Sequence, residues 1–489
     1  MNFTFLENST TSASDEYFNY NVLQITDGIH NPETLKWDIT LCNLFVWLLT
    51  FVVLSKGIKS LGKVVYFTAI FPYVLITILL IRGCTLEGYM EGIKFYLTPD
   101  FSKLTKAEVW SDAAVQIFFS LGTCIGGLIA MSSYNEFHNN VLRDAFLIPL
   151  INCFTSFYAG FVTFSILGFM AHKKNTTVEN VAAGGPGLAF IVYPEALAQM
   201  PVSPLWSVLF FLMMMNLGFS TVFSMTETTI TGIYDQFEGF MNKSKKRLYI
   251  FRLVVCLFFF VLGLPMTTKG GLYMLNLLDN YVGGFPLLIV GLIEIIVVVY
   301  VYGLGYESQK TNKFPMSLLR GFYCFKSNIE LMIGISLVSK VTFYYFGIMW
   351  CIISPVILFF VVILKAFQYT PLSLGIYVYP EWANVLGWLV VIFSVLPIPG
   401  WCLYHFITKD ISTGCSPKNT WGPSKMAKQE WSFFIHPFRK SRTRLDLERT
   451  KKLQIDLSPL NPKSKTAPCN LNQLAEKEKL VHGNELNSV

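Results

Sequence analysis

Long apolar stretches alternate with short polar ones along most of this chain. A membrane-spanning helix needs roughly 20 mostly apolar residues, and nine stretches approach or exceed that length. The pattern therefore predicts an all-α polytopic membrane protein with nine transmembrane helices. The predicted spans are 39–54, 64–81, 113–133, 146–171, 205–233, 250–264, 281–304, 343–364 and 385–407.

Composition supports a membrane protein and excludes an ordinary soluble one. Hydrophobic residues make up 53% of the chain and charged residues 14%, whereas soluble domains carry about 25% charged residues. The ten cysteines form no Cys-x-x-Cys pair, so neither a zinc site nor a redox motif is expected. Because the sequence also has no P-loop, nucleophile elbow or cluster of metal ligands, we expect no enzyme, no catalytic residue, no organic cofactor and no nucleic-acid partner.

Three regions follow from this pattern. We expect residues 1–38 to be an extracellular, glycosylated loop remnant and residues 39–408 to be the membrane domain. Residues 409–489 are polar and predict a cytoplasmic, largely disordered tail.

Basic residues mark alternate loops and predict the orientation. They follow the first, third, fifth, seventh and ninth spans, and the positive-inside rule makes those loops cytoplasmic. The N-terminus is then outside and the C-terminus inside. The glycosylation sequons at Asn2, Asn8 and Asn175 all fall outside, as glycosylation requires, whereas Asn242 falls inside and is a chance match.

The third span contains a cluster of glycines at mid-membrane depth. Gly122, Gly126 and Gly127 lie close to Gln116, Ser120 and Thr123. Glycine permits an unwound turn, and unwound carbonyls with hydroxyls suit Na⁺ coordination. Small residues also allow close helix packing, and on these residues alone packing is slightly favoured.

Two other spans carry polar groups that suit an ion. Asn152 and Ser156 are four residues apart and share a helix face, where an interhelical hydrogen bond is an equally good explanation. Ser220 and Thr221 follow Leu217 by about one turn, so a bend would free the Leu217 carbonyl. The alternative is hydroxyl bonding back to the carbonyl of the preceding turn.

Two carboxylates and one proline also fall inside predicted spans. Glu227 and Glu294 are expected to be buried, and a buried carboxylate in a membrane is either functional or part of a structural polar pair. Gly62 and Pro72 lie ten residues apart in the second span, where an unwinding helix would open a route to the cytosol. A static kink is slightly favoured there.

Several longer motifs resemble one family, the neurotransmitter:sodium symporters (solute carrier 6), and its glycine-type and nutrient amino-acid branch. The resemblance covers about residues 17–423, and segment 305–321 interrupts it as an insertion or an artefact of the predicted transcript. The matching motifs are GKVVYFTAIFPYVLI, SDAAVQIFFSLG, SSYNEFHNNVLRDA, INCFTSF, GGPGLAFIVYPEAL, PLWSVLFF, GGLYMLNLLDNY, PEWANVLGWLV and NTWGP.

This resemblance implies a LeuT-like fold of twelve spans with inverted repeats and broken helices. The nine predicted spans would be the family's spans 4–12, so we expect a partial LeuT-like inverted-repeat fold without the first three spans.

The resemblance also implies three ion sites. The first sodium site would take Ser120 and Asn152. The second sodium site would take Leu217, Ser220 and Thr221. Chloride would be bound by Gln116, Ser120 and Ser156. Most animal members have an aspartate where this chain has Ser220, so its second sodium site lacks that charge.

Substrate and gating residues carry over in the same way. The substrate pocket would be lined by Phe119, Leu121, Gly122, Thr123, Cys124, Ile125 and Met225. Met225 stands where carriers of aromatic amines keep a small residue, so the pocket would be smaller. The outer gate would be Phe119 and Asp279, and the intracellular release element would be Gly62 and Pro72.

The function implied is symport, in the plasma membrane, of a small neutral amino acid such as glycine with Na⁺ and Cl⁻. Each Na⁺ that crosses supplies about 2.3 kcal/mol per 100 mV of membrane potential. The lipid bilayer is then an obligatory partner, and a homo-oligomer is compatible with the resemblance. The alternative is a truncated, non-transporting isoform or an incomplete gene product that modulates a full-length relative.

Overall fold

The computed structural model describes residues 13–55, 58–181, 186–241, 244–302, 319–334, 337–367, 371–375 and 377–408. Within these residues the chain is almost entirely helical, with one antiparallel two-stranded hairpin of β1 (Ser373–Leu374) and β2 (Tyr377–Val378). The predicted glycosylation sites Asn2 and Asn8, residues 305–318 of the segment that interrupts the resemblance, and the predicted tail 409–489 lie outside the described residues.

Nineteen α-helices lie in the described part of the chain. They are α1 (Ala13–Glu16), α2 (Trp37–Ser55), α3 (Ile58–Gly83), α4 (Tyr89–Leu97), α5 (Ala107–Leu121), α6 (Gly127–Ser132), α7 (Val141–Lys174), α8 (Val178–Val181), α9 (Tyr193–Ala198), α10 (Ser203–Gln236), α11 (Glu238–Met241), α12 (Lys245–Gly263), α13 (Gly271–Gly283), α14 (Phe285–Ile296), α15 (Arg320–Ile333), α16 (Leu337–Ile348), α17 (Ser354–Phe367), α18 (Glu381–Val395) and α19 (Pro397–Thr408).

Short helical turns of other types extend some of these helices. The π-helical turns are Tyr17–Leu23, Leu188–Val192, Val297–Val301 and Met349–Ile353. The 3₁₀ turns are Phe101–Thr105 and Leu264–Thr267.

Seven helical stretches in the described residues are long and apolar enough to cross a membrane, which confirms a polytopic all-α membrane protein. The pair α18 and α19, bent by 40°, makes an eighth if it is one span. The predicted span 113–133 is not among them, because it is divided into α5 and α6 and neither piece is long enough alone. The predicted total of nine therefore stays a prediction.

Helix α3 is continuous from Ile58 to Gly83, with Pro72 inside it. The chain is thus not unwound at the Gly62–Pro72 element in this conformation. A Cβ added at Gly62 would meet no atom within 4 Å, so the glycine is not needed for packing.

Helix α4 lies against α7 at a very short distance because both helices present glycine at the contact. A Cβ added at Gly92 would lie 1.8 Å from the carbonyl oxygen of Phe164 and 2.8 Å from the backbone nitrogen of Gly168. No larger residue fits there without moving one backbone away from the other.

Three clusters of buried side chains hold the helices that surround the site. The largest joins α3, α7, α9 and α10, and its fully buried members include Met170, Ala196 and Leu197. A second cluster joins α2, α10 and α12 through Leu54, Phe223 and Val255. A third joins α13 to α18. Because α7 and α10 each belong to a large cluster, they form a fixed frame on either side of the broken helix.

Candidate functional site

The centre of the site is the interruption between α5 and α6. Gly122, Cys124 and Gly126 all have positive φ, at 64°, 65° and 83°. Residues 122 and 126 are glycines, for which this left-handed backbone costs little. The break interrupts the ladder of backbone hydrogen bonds in the middle of the span, and the carbonyls of Phe118 and Phe119 accept instead from the N–H groups of Thr123 and Gly122, at 3.2 and 3.1 Å. The glycine cluster of the third span is thus unwound, although close packing was slightly favoured from these residues alone.

Ser120 on α5 contacts Asn152 on α7. The Ser120 Oγ lies 3.1 Å from Asn152 Oδ1, to which it donates, and 3.0 Å from Asn152 Nδ2, from which it accepts. These two side chains are 32 residues apart in the chain, and the contact brings both of their oxygens to one point beside the helix break. The chain thus places together the two residues expected at the first sodium site.

Gln116 and Ser156 lie near the contact between Ser120 and Asn152, on the same two helices. Gln116 lies one helical turn before Ser120 on α5, and Ser156 lies one turn after Asn152 on α7. Both side chains are exposed. The three residues expected at the chloride site therefore lie on two adjacent helices, although only the Ser120 to Asn152 contact is a direct hydrogen bond.

The expected second sodium site lies on α10, which is a continuous helix of 34 residues. Ser220 Oγ donates to the Leu217 carbonyl oxygen at 2.8 Å, and Thr221 Oγ1 donates to the same oxygen at 3.2 Å. The three groups do meet at one carbonyl. The helix is not bent open there, however, and the hydroxyls bond back to the preceding turn.

The walls around the break include the expected gate. The ring of Phe119 is 3.7 Å from the position a Cβ would take on Gly283, one turn beyond Asp279 on α13. Asp279 is exposed, and the Phe119 side chain is 51% exposed. Phe119, the expected gate aromatic, is thus adjacent to the end of α13, the helix that carries Asp279.

Met225 and Thr228 form the α10 side of the break. A Cβ on Gly126 or Gly127 would approach Thr228 at 3.7 and 3.8 Å, which puts the start of α6 beside this helix. Met225, one turn earlier, is 38% exposed. Sequence analysis identified Met225 and missed Thr228, whose only signal is its spacing of three residues from Met225.

The buried carboxylate of Glu227 lies on α10, close to Tyr134 in the turn that follows α6. Glu227 is 2% exposed, and the Tyr134 hydroxyl lies 3.5 Å from its Oε1 and 2.7 Å from Thr231 Oγ1. Arg252 on α12 is the charged neighbour of Glu227 and donates to the Ser55 carbonyl on α2 at 3.2 Å. Glu227 therefore lies in a polar cluster with Tyr134, Thr231 and Arg252, and among the described residues its Oε2 has no hydrogen-bond partner. Neither Tyr134 nor Arg252 was predicted from the sequence.

Glu294 is exposed, and the expectation that it is buried is wrong. It lines a cavity of about 320 Å³ together with Cys124, Gly126 and Ile398.

Comparison with known proteins identifies the family of the chain. The model of the sodium:neurotransmitter symporter family matches residues 2–409. The chain belongs to this family. Sodium:neurotransmitter symporters are transporters and not enzymes, so the expectation of no enzyme is confirmed.

Individual symporters give the same result. The chain is 42% identical over 459 residues to the sodium- and chloride-dependent glycine transporter 2 of Xenopus laevis, an alignment of 91% of this chain and 54% of that protein. It is 43% identical to glycine transporter 1 of the same species (85% and 63%). It is 40% identical to the human neutral and basic amino acid transporter B(0+) (84% and 62%). The chain thus spans between about half and two-thirds of the length of these relatives.

Proposed function

We propose that this chain carries the ion and substrate groups of a symporter that moves a small neutral amino acid with Na⁺ and Cl⁻. The observation that carries the proposal is the Ser120 to Asn152 contact beside the unwound segment 122–126. A hydroxyl and an amide oxygen that meet beside the end of a helix are hard oxygen ligands of the kind that a small cation prefers.

The ions would use these groups by exchanging protein hydrogen bonds for coordination. Na⁺ between Ser120 and Asn152 would take both oxygens and turn the hydroxyl proton away from the amide, toward Cl⁻. Gln116 and Ser156 would supply the further donors for Cl⁻. At the second site, rotation of the Ser220 and Thr221 hydroxyls would release the Leu217 carbonyl to an ion.

The substrate would bind against the unwound segment between Phe119 and Met225. Residues 121–125 and these two side chains would line the pocket, and the wall residues Ile125 and Met225 carry no charge. Uncharged walls favour a neutral side chain, since a buried charge without a partner is costly. The names of the relatives, glycine and neutral amino acid transporters, support the same substrate class.

The orientation proposed from the basic loops completes this function. Asn175 would be extracellular and glycosylated, as would Asn2 and Asn8, while the release element of Gly62 and Pro72 would face the cytosol. The protein would act in the plasma membrane, with Phe119 and Asp279 on the outer side of the substrate and with no organic cofactor.

One observation favours a second candidate, a protein that does not transport when these 489 residues act alone. The side chains proposed to hold ions and substrate are open on one side: Phe119 is 51%, Leu217 40% and Met225 38% exposed. An open site cannot enclose a substrate, so the chain would bind weakly or serve as a partner of a longer relative.

An uptake assay separates these functions. Cells would express the 489-residue chain, or the same chain joined at Met1 to the three preceding spans of the Xenopus laevis glycine transporter 2. We expect uptake of labelled glycine, proline or a larger neutral amino acid only by the joined protein, and only with both Na⁺ and Cl⁻.

Two results would contradict these proposals. Uptake by the joined protein that survives replacement of Na⁺ by choline and Cl⁻ by gluconate would overturn symport. Ion-dependent uptake by the 489-residue chain alone would overturn the non-transporting alternative.

A further inference from the structure

Cys124 stands out in the unwound segment because it is not glycine yet has a φ of 65°. A non-glycine residue in this region costs of order 1 kcal/mol or more, and it persists only where the surroundings hold it. The side chain of Cys124 does not complete the exposed surface formed by Ser120 and Asn152. It points instead toward α14, on the other side of the broken helix.

A notch in α14 receives this thiol. A Cβ added at Gly291 would lie 2.8 Å from Cys124 Sγ and 3.0 Å from Cε1 of Phe118. Gly291 is buried, and a side chain added there would have to displace one of these two atoms. The absence of a side chain at position 291 is therefore what allows the thiol to lie against the α14 backbone.

Glu294 lies one turn after Gly291 on the same face of α14, and its carboxyl group is the charged neighbour of the Cys124 thiol. Both residues line the cavity of about 320 Å³, whose other walls include Ile129, Val290 and Ile293. These other walls are apolar, so the Glu294 carboxylate is the acceptor that they leave for the thiol. A thiol is a weak hydrogen-bond donor, and an ionised carboxylate is a strong acceptor.

We infer that Cys124 is a positioning residue: its thiol, held between the Gly291 notch and the Glu294 carboxylate, ties the unwound segment of the broken helix to α14. The tie fixes the direction in which the backbone of residues 122–125 faces the exposed surface formed by Ser120 and Asn152. This role rests on the proposed function, because those backbone groups are the ones that the substrate would contact.

A plain packing role for Cys124 makes a different prediction from the tie. A thiol that is simply a small apolar group would be indifferent to the charge of residue 294. A tied thiol is held in the notch by its hydrogen bond to the carboxylate, so a reagent's access to it should depend on both Gly291 and Glu294.

The test is the rate at which N-ethylmaleimide alkylates Cys124 in membranes that contain the 489-residue chain, followed by peptide mass spectrometry. We expect each of two variants to raise this rate by about tenfold: Glu294→Gln removes the charged acceptor of the thiol, and Gly291→Ala fills the notch in which the thiol lies. Gly232→Ala is the matched control: its added Cβ meets no atom within 4 Å, and the rate should not change. Unchanged rates in both α14 variants would overturn the tie.

Uptake by the joined protein supplies the second measurement. Cys124→Ala should raise the KM for the amino acid and so reduce uptake. Cys124→Ser keeps a hydrogen-bond donor and should restore most of that uptake. If the alkylation rates respond but no variant transports, the tie holds and the proposed function fails. If uptake is ion-dependent but neither the alkylation rates nor the KM respond, the proposed function holds and the tie fails.

Discussion

At the scale of single residues, the hydrogen bonds between Ser120 and Asn152 make a specific prediction about sodium. Asn152→Ala removes the amide oxygen and leaves only the Ser120 hydroxyl at that point. We expect the Na⁺ concentration for half-maximal uptake by the joined protein to rise about tenfold, since a ligand to an ion contributes roughly 1.5 kcal/mol or more.

Asn180→Ala is the control for this prediction. Asn180 is exposed on the short helix α8, outside every candidate span. Its removal should leave the Na⁺ dependence unchanged, and an equal shift in both variants would mean that Asn152 acts on folding and not on the ion.

Glu227 and Tyr134 make a second prediction at this scale, about stability. Glu227→Gln removes the charge that Arg252 faces, and Tyr134→Phe removes the hydroxyl between Glu227 and Thr231. Each should lower the melting temperature of the detergent-solubilised chain. The double variant should show a coupling free energy of about 0.5–3 kcal/mol, as residues in one network do.

A comparison cycle uses a carboxylate outside this network. Glu330 pairs with Lys326 on α15, so Glu330→Gln combined with Tyr134→Phe should be additive. Additivity of the Glu227 cycle would show that the two side chains do not act together.

At the scale of elements, Pro72 lies inside α3, and its replacement should change stability and uptake in opposite directions. Proline costs about 3 kcal/mol in a helix interior, so Pro72→Ala should raise the melting temperature. If α3 has to unwind to release substrate, the same change should slow uptake by the joined protein.

Pro149→Ala in α7 is the matched control, because Pro149 also lies inside a long helix. It should stabilise the protein without slowing uptake. A Pro72→Ala variant that is more stable and equally fast would mean that Pro72 is only a static kink.

The contact between α4 and α7 gives a prediction that is independent of transport. Gly92→Ala places a methyl group where the Phe164 carbonyl now lies, and overpacking of this kind costs about 1–3 kcal/mol. Thermal unfolding should show the loss. Gly400→Ala on α19, where a Cβ meets no atom within 4 Å, should leave stability equal or slightly higher, and matching losses would contradict this account.

At the scale of the whole molecule, the orientation can be read from glycosylation. Asn175 is exposed at the end of α7, in the sequon Asn-Thr-Thr. Only loops on the outer side receive glycans. Asn175→Gln should therefore remove one endoglycosidase-sensitive mobility step of the expressed chain, while Asn242→Gln should remove none. The reverse result would invert the proposed topology.

The sequence alone determined the class of protein and most of its helices. Apolar length and the spacing of basic residues are local properties, and the free energy of transfer into lipid depends on them without reference to any contact. The glycine cluster likewise permitted the break at 122–126, since backbone freedom belongs to the residue itself, but on these residues alone close packing was slightly favoured.

Only the tertiary structure decided which polar groups meet. Sequence analysis left open whether Asn152 would bond to another helix and whether Ser220 would bond back to its own, and the structure has both bonds. From the sequence Glu294 was expected to be buried, whereas in the structure it is exposed and lines a cavity. Burial and hydrogen-bond partners depend on what neighbouring helices place beside a residue, so no property of the residue or its local sequence determines them.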